Sequence, residues 1–191
     1  KSKAGSYGDY VVQTDDSCGR ILSALRDAGL EQNTIVVFTA DNGPENFAYA
    51  RDEKFGHWSS APLRGLKRDI YEGGHRVPFI IRWPGMTKTG SVSDALISQI
   101  DLMATFASAT GSKLPENAAE DSHDFLPWLK GVSKSPPRTI HVHNTNSKNF
   151  AIRSGDWLLV DAKSGYTSRK PTASWISKHG AINGAGSKVQ L

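Results

Sequence analysis

The side chains with the most chemical capacity fall in two groups within residues 34–85. Asp41 and Asn42 close the apolar run Ile35-Val36-Val37-Phe38-Thr39-Ala40 and stand directly before Gly43-Pro44. A carboxylate beside an amide carbonyl offers two hard oxygen donors of the kind Ca²⁺ or Mg²⁺ prefers. Asp, Asn, Gly and Pro are also common turn formers, so a plain turn is the competing reading. Further on, Arg64, Lys67 and Arg68 form a cationic cluster ahead of Gly73-Gly74. Paired glycines let backbone approach backbone where a side chain would intrude.

These groups need a scaffold that delivers them to one place. The run 34–40 is β-branched and aromatic without polar alternation, the pattern of a strand buried on both faces of a parallel sheet. In open α/β sheets the ligand lies beyond the carboxyl ends of such strands, which puts Asp41 and Asn42 at an active-site edge. Residues 8–25 space Val11, Cys18, Ile21, Leu22 and Leu25 as an amphipathic helix that Gly29 stops. Asp15 shares that face and is expected to be a buried carboxylate satisfied by neighbouring donors, with Cys18 a small core residue. A helix followed by a strand is a unit of an α/β fold. Residues 43–62 have weak periodicity, and a loop that long is either a lid or a decorated surface loop. As a lid it would offer His57 and Trp58 as pocket walls.

Taken in order, Thr39-Ala40-Asp41-Asn42-Gly43-Pro44-Glu45 followed by Arg64-Gly65-x-Lys67-x-x-x-Tyr71-Glu72-Gly73-Gly74-x-Arg76-Val77-Pro78 closely resembles the type I sulfatases of the alkaline phosphatase superfamily. The match runs over residues 7–160 and is most specific between 34 and 85. The resemblance implies an α/β fold, part of a mixed or parallel sheet flanked by helices, with a small C-terminal antiparallel sheet. It implies that Asp41 and Asn42 are two of the Ca²⁺ ligands (Mg²⁺ being the other hard cation to consider) and that Lys67 contacts the sulfate ester oxygens. Arg64, His57 and His143 are expected to neighbour the substrate, and Arg68 to point elsewhere.

The family's mechanism uses a formylglycine hydrate that attacks sulfur, releases the alcohol and then expels sulfate. This sequence lacks the upstream Asp-Asp pair, histidine and lysine of the family. Ser60-Ala61-Pro62-Leu63-Arg64 fits the Cys/Ser-x-Pro-x-Arg formylglycine signature literally. In the family that signature lies far upstream of Asp-Asn-Gly and opens a helix, so the match is read as accidental. The formylglycine is expected in a missing N-terminal part, and the chain, which has no initiating Met, is expected to be an internal segment of a longer protein. Two other readings stay open: a phosphatase or phosphotransferase of the same superfamily, and a degenerate sulfatase that grips sulfated glycans through Lys67, Arg64 and Arg68.

Composition bounds the rest. A length of 191 residues allows one ordinary domain or parts of two. A net charge of +4 is a weak pointer to an anionic substrate, a sulfate ester or sulfated carbohydrate here, and nothing points to nucleic acid. The one cysteine excludes an internal disulfide framework. No run approaches the roughly 18 apolar residues of a membrane span, and no signal peptide opens the chain. The family resemblance implies an exported parent, periplasmic or secreted.

Asp101 suits the N-cap of a helix over 102–110 that Gly111 ends. Residues 114–131 form a connection with a short apolar turn at 125–129, so 1–131 is expected to belong to the catalytic α/β domain and 132–191 to a smaller unit. Within that unit the alternation of 139–144, 150–153 and 157–160 around Ser154-Gly155 argues an antiparallel hairpin sheet. His141 and His143 would face one side of it. As a zinc pair they would lack further ligands. Residues 161–191 are polar and aperiodic, readable as a mobile tail or as one ordered only by a missing remainder, with Val189-Gln190-Leu191 entering a strand.

Overall fold

Helix α1 (Gly5–Asp27) follows the expected apolar spacing, and Gly29 at φ 70° turns the chain just after it. Its burial does not follow. Only Gly8 is buried, Val11, Ile21 and Asp15 are exposed, and Cys18 is half-buried. The expectation of a buried Asp15 is corrected: it stands in solvent and needs no partner. In this computed structural model, which describes residues 1–167 and 169–179, no helix is long and apolar enough to cross a membrane among the described residues. The strand expected at 189–191 lies outside the described residues.

After a 3-10 turn at Glu31–Asn33 the chain enters β1 (Val36–Thr39). It pairs antiparallel with β2 (Phe79–Arg82), Val36 opposite Arg82 and Phe38 opposite Ile80. Phe38 is 41% and Ile80 62% exposed. Within this chain the run is therefore a half-covered strand with an antiparallel neighbour, not one buried on both faces between parallel neighbours. An unbroken apolar run shows that both faces want cover without showing where the cover comes from.

The stretch read as a lid or surface loop holds α2 (Ala48–Phe55), whose Ala48, Tyr49 and Asp52 are buried. They pack toward α6 (Ala173–His179), and Trp175 makes edge contacts with Tyr49 and Trp58, both at 5.0 Å between ring centroids. Ala48, Tyr49, Leu66 and Trp175 form one core cluster, with Trp58 against it. Asp52 meets His179 Nε2 at 2.5 Å and Lys178 Nζ at 3.5 Å. As far as His179, the supposed tail is held by this chain's own residues, because Trp175 finds an aromatic pocket that local sequence could not announce.

Short helix α3 (Glu72–His75) precedes β2, and α4 (Asp101–Thr110) and α5 (Leu126–Leu129) follow it. Asp101 is the first residue of α4, not its cap. Its buried carboxylate accepts the backbone amides of Ser98 and His123 and the guanidinium of Arg138. The small sheet, β3 (Ile140–Asn144), β4 (Phe150–Ser154) and β5 (Trp157–Asp161), is antiparallel in sequence order, as the alternation requires. Ala151 and Leu158 on its inner face pack on Ile70. Arg153 pairs with Glu72, and His143 Nε2 donates to the Ile70 carbonyl at 3.1 Å.

His75 joins this contact, its ring 4.3 Å from His143, while His141 lies 5.7 Å from His143. Burial, followed by the neighbouring His143, pushes His75 down to about 4, and burial also lowers His141 and His143. Burial favours the neutral form of all three rings, so their contribution is complete above the unfolded value of 6.5 and falls as pH drops below it, for His75 until about 4. Thermal unfolding from pH 7 to pH 4 should show this loss, on the order of 2 kcal/mol for His75 once solvent exposure is discounted. His75→Gln should flatten that part of the profile; an unchanged slope would refute the assignment.

Candidate active site

Two loops lock together where the motifs meet. Gly43 N donates to Gly74 O at 3.0 Å, Lys67 N to Pro44 O at 2.9 Å, and Gly73 N to Arg64 O at 2.7 Å. Glycine is required here by contact distance. A Cβ on Gly43 would sit 1.8 Å from Gly73 O, one on Gly73 2.1 Å from Gly65 O, and one on Gly74 2.5 Å from Asp69 O. Any side chain would force the loops apart, and with them the Asp41-Asn42 and Lys67 groups.

Lys67 rides on a tight turn. Asp69 N donates to Leu66 O at 2.9 Å, and Arg68, the third residue, has φ 75°, the geometry of a type II turn that glycine normally occupies. The strain is offset by fully buried Asp69, which accepts Leu66 N at 2.9 Å and Thr167 N at 2.8 Å. Thr167 Oγ1 also donates to Arg68 O. Sequence reasoning passed over Asp69 and Thr167: the first looked like one more charge in a charged run, the second lay in the presumed tail.

Lys67 Nζ lies 2.9 Å from Glu45 Oε1. Arg68 forks onto the same carboxylate, Nη1 at 3.0 Å from Oε2 and Nη2 at 3.2 Å from Oε1. Arg68, then Lys67, hold the Glu45 carboxyl at about 2. The expectation that Arg68 points elsewhere is corrected, since both cations converge on one acceptor. Arg64 takes a different direction: its guanidinium stacks 3.9 Å over the Tyr71 ring and its Nε donates to Tyr166 Oη at 3.0 Å. Burial raises the Tyr166 phenol, so it stays protonated.

The remaining sequence candidates separate. His57 is exposed and its ring partner is Tyr7, at 5.7 Å, so the geometry ties it to α1. His143 is half-buried, held against the Ile70 carbonyl from the small sheet. Ser60 is buried, Oγ accepting Trp58 Nε1 at 3.1 Å, and residues 61–71 after it are turn and coil, so its signature match opens no helix.

Asp41 is exposed at the loop tip. The Asn42 amide nitrogen donates to Gly43 O at 3.0 Å, which commits the nitrogen and leaves the carbonyl oxygen as the side chain's acceptor. Thr39 Oγ1 and Asn46 Oδ1, flanking this pair in sequence, are buried without a partner. Among the described residues no group of three or more His, Cys, Asp or Glu is placed to hold a metal ion. The donors present therefore fit a share of a hard-cation cage that wants six or more oxygens, not a whole one.

The Sulfatase family profile matches residues 1–112, and that of the N-sulphoglucosamine sulphohydrolase C-terminal region matches 66–159. An N-acetylgalactosamine-6-O-sulfatase of Bacteroides thetaiotaomicron is 38% identical over 165 residues, covering 84% of this chain and 32% of the relative. Human arylsulfatase A is 36% identical over 161 residues, covering 82% and 30%. A solved structure concerned with metabolism of multiple glycosaminoglycans by Bacteroides thetaiotaomicron superposes with a TM-score of 0.72 at 35% identity, covering 83% of this chain and 33% of that one. The chain thus spans about a third of the length of these relatives. The fold is the α/β class of alkaline phosphatase type, and the interlocked Asp-Asn-Gly and Arg-Gly-x-Lys loops lie inside the matched region: the chain belongs to the sulfatase family.

Proposed function

We propose that the full-length protein hydrolyses a sulfate monoester on a carbohydrate, and that this chain supplies Lys67 as the sulfate contact with Asp41 and Asn42 as calcium ligands. One observation carries the reading. The bonds of Gly43 N to Gly74 O and Lys67 N to Pro44 O hold hard oxygen donors and a lysine on adjoining loops. The sugar is suggested by the relative named an N-acetylgalactosamine-6-O-sulfatase.

A bound divalent cation would offset charge on the sulfate oxygens. Lys67 would add a compact ammonium whose interaction strengthens as charge moves onto oxygen in the transition state. Turn 66–69, tied down by Asp69 and Thr167, fixes where that ammonium can reach. The nucleophile, a formylglycine, belongs to the part of the protein outside these residues.

Sulfate release from 6-O-sulfated N-acetylgalactosamine and from a chromogenic aryl sulfate tests the reading. The full-length protein should release sulfate, and the 191-residue chain alone should give none above a buffer blank. Failure of the full-length protein across a panel of sulfated sugars and aryl sulfates would refute the activity. Turnover by the isolated chain would refute the division of labour and make Ser60 the first residue to test.

A further inference from the structure

The convergence of Lys67 and Arg68 on Glu45 serves no evident structural need. All three side chains are substantially exposed, Glu45 at 44%, Arg68 at 43% and Lys67 at 30%. Exposed ion pairs of this kind add little to stability. Their charge, however, is fixed beside the ammonium assigned to the sulfate ester. The Glu45 carboxylate offsets part of the positive charge that Lys67 and Arg68 bring to this place.

That offset bears on two anions of nearly the same shape. A sulfate monoester carries one negative charge at neutral pH, whereas a phosphate monoester, with its second ionisation near pH 6, carries close to two. A carboxylate held beside the contact lysine repels the second negative charge of a phosphate monoester more than the single charge of a sulfate monoester, so it tilts the site toward the monoanion. We infer that Glu45 is a specificity-determining positioning residue: it holds Lys67 beside Arg68 and cancels the positive charge that would otherwise favour phosphate monoesters over sulfate monoesters. This rests on the assignment of Lys67 to the sulfate contact.

The full-length protein and its Glu45→Gln variant are compared by calorimetry at low ionic strength with two non-transferring probes. Phenyl phosphate is the dianion at pH 8, and benzenesulfonate is a monoanion with a similar three-oxygen head group but no bridging oxygen, so the change in their ratio on substitution is what is read. Glu45→Gln should shift the ratio of the two dissociation constants about tenfold toward phenyl phosphate at pH 8, the scale of one elementary charge acting at short range near a surface. At pH 5 the phosphate probe loses most of its second charge while Glu45, held at about 2, stays ionised, so the shift should largely vanish. Arg68→Gln, which removes a positive charge from the same trio, should move the ratio the other way.

A ratio that Glu45→Gln leaves within about twofold of wild type at pH 8, or that moves equally at pH 5 and pH 8, overturns the inference. So does a wild-type protein that binds neither probe. A purely structural role for Glu45 would weaken both probes together and leave their ratio unmoved. Because binding is read directly, a protein that releases no sulfate from any ester would defeat the proposed activity while the ratio still decides the role of Glu45.

Discussion

Lys67→Ala in the full-length protein should lower turnover by about 100-fold or more, with a smaller change in apparent substrate affinity. That is the scale of losing one preorganised electrostatic donor whose interaction grows in the transition state. Lys67 is carried by a turn that fully buried Asp69 pins at Leu66 N and Thr167 N, which limits where its ammonium can reach. Arg68→Ala should cost less than about tenfold, because Arg68 acts through the shared Glu45 carboxylate. Steady-state kinetics on both variants decides. If Arg68→Ala abolished activity and Lys67→Ala left it near wild type, the register laid on residues 64–74 would be wrong.

Arg138→Ala should destabilise the fold by about 3–5 kcal/mol, the loss expected when one member of a buried ion pair is removed and its partner is stranded. Asp101 is fully buried, with Arg138 Nη2 at 2.5 Å and Nε at 3.3 Å from its two oxygens. The same guanidinium donates to the Asp121 carbonyl at 2.6 Å, so one residue closes α4 onto the connection that follows it. Asp101→Asn should also be costly, since asparagine keeps one acceptor oxygen, turns an NH2 toward the other of the Ser98 and His123 amides and leaves the buried Arg138 guanidinium without its counter-charge. Burial pushes the Asp101 carboxyl up, but Arg138 and those amides outweigh it and leave it below the ordinary carboxylate range. The folded value is depressed, so the pair's contribution is present above the unfolded carboxylate value and is lost as pH falls through the folded one. Urea unfolding at neutral pH and in acid checks both statements; a loss below about 1 kcal/mol at neutral pH would mean the carboxylate finds water or another partner.

What the sequence disclosed and what it hid divide along contact range. Asp41-Asn42-Gly43-Pro44 and Gly73-Gly74 were legible because turn residues and glycines carry their geometry with them. The antiparallel sheet was legible because alternation is local. Helix α1 was legible in spacing but not in burial: periodicity names the face that wants cover, and Val11 and Ile21 are bare. Helix α2 was missed because Ala48, Tyr49 and Asp52 are satisfied by Trp175 and His179 in α6, whose pairing no local pattern encodes. Glu45 stood inside the recognised motif, yet only the fold shows that its carboxylate joins Lys67 to Arg68. Arg64 looked like a free substrate cation until Tyr71 and Tyr166 were seen to hold it.

The claim that Lys67 and the Asp41-Asn42 pair serve one sulfate site is tested most directly by a crystal structure of the full-length protein with Ca²⁺ and benzenesulfonate. The account predicts a sulfonate oxygen within about 3 Å of Lys67 Nζ, the range of a charge-assisted hydrogen bond, and Asp41 and Asn42 oxygens on the metal. A sulfonate seated away from Lys67, with Asp41 and Asn42 off the metal, would contradict it.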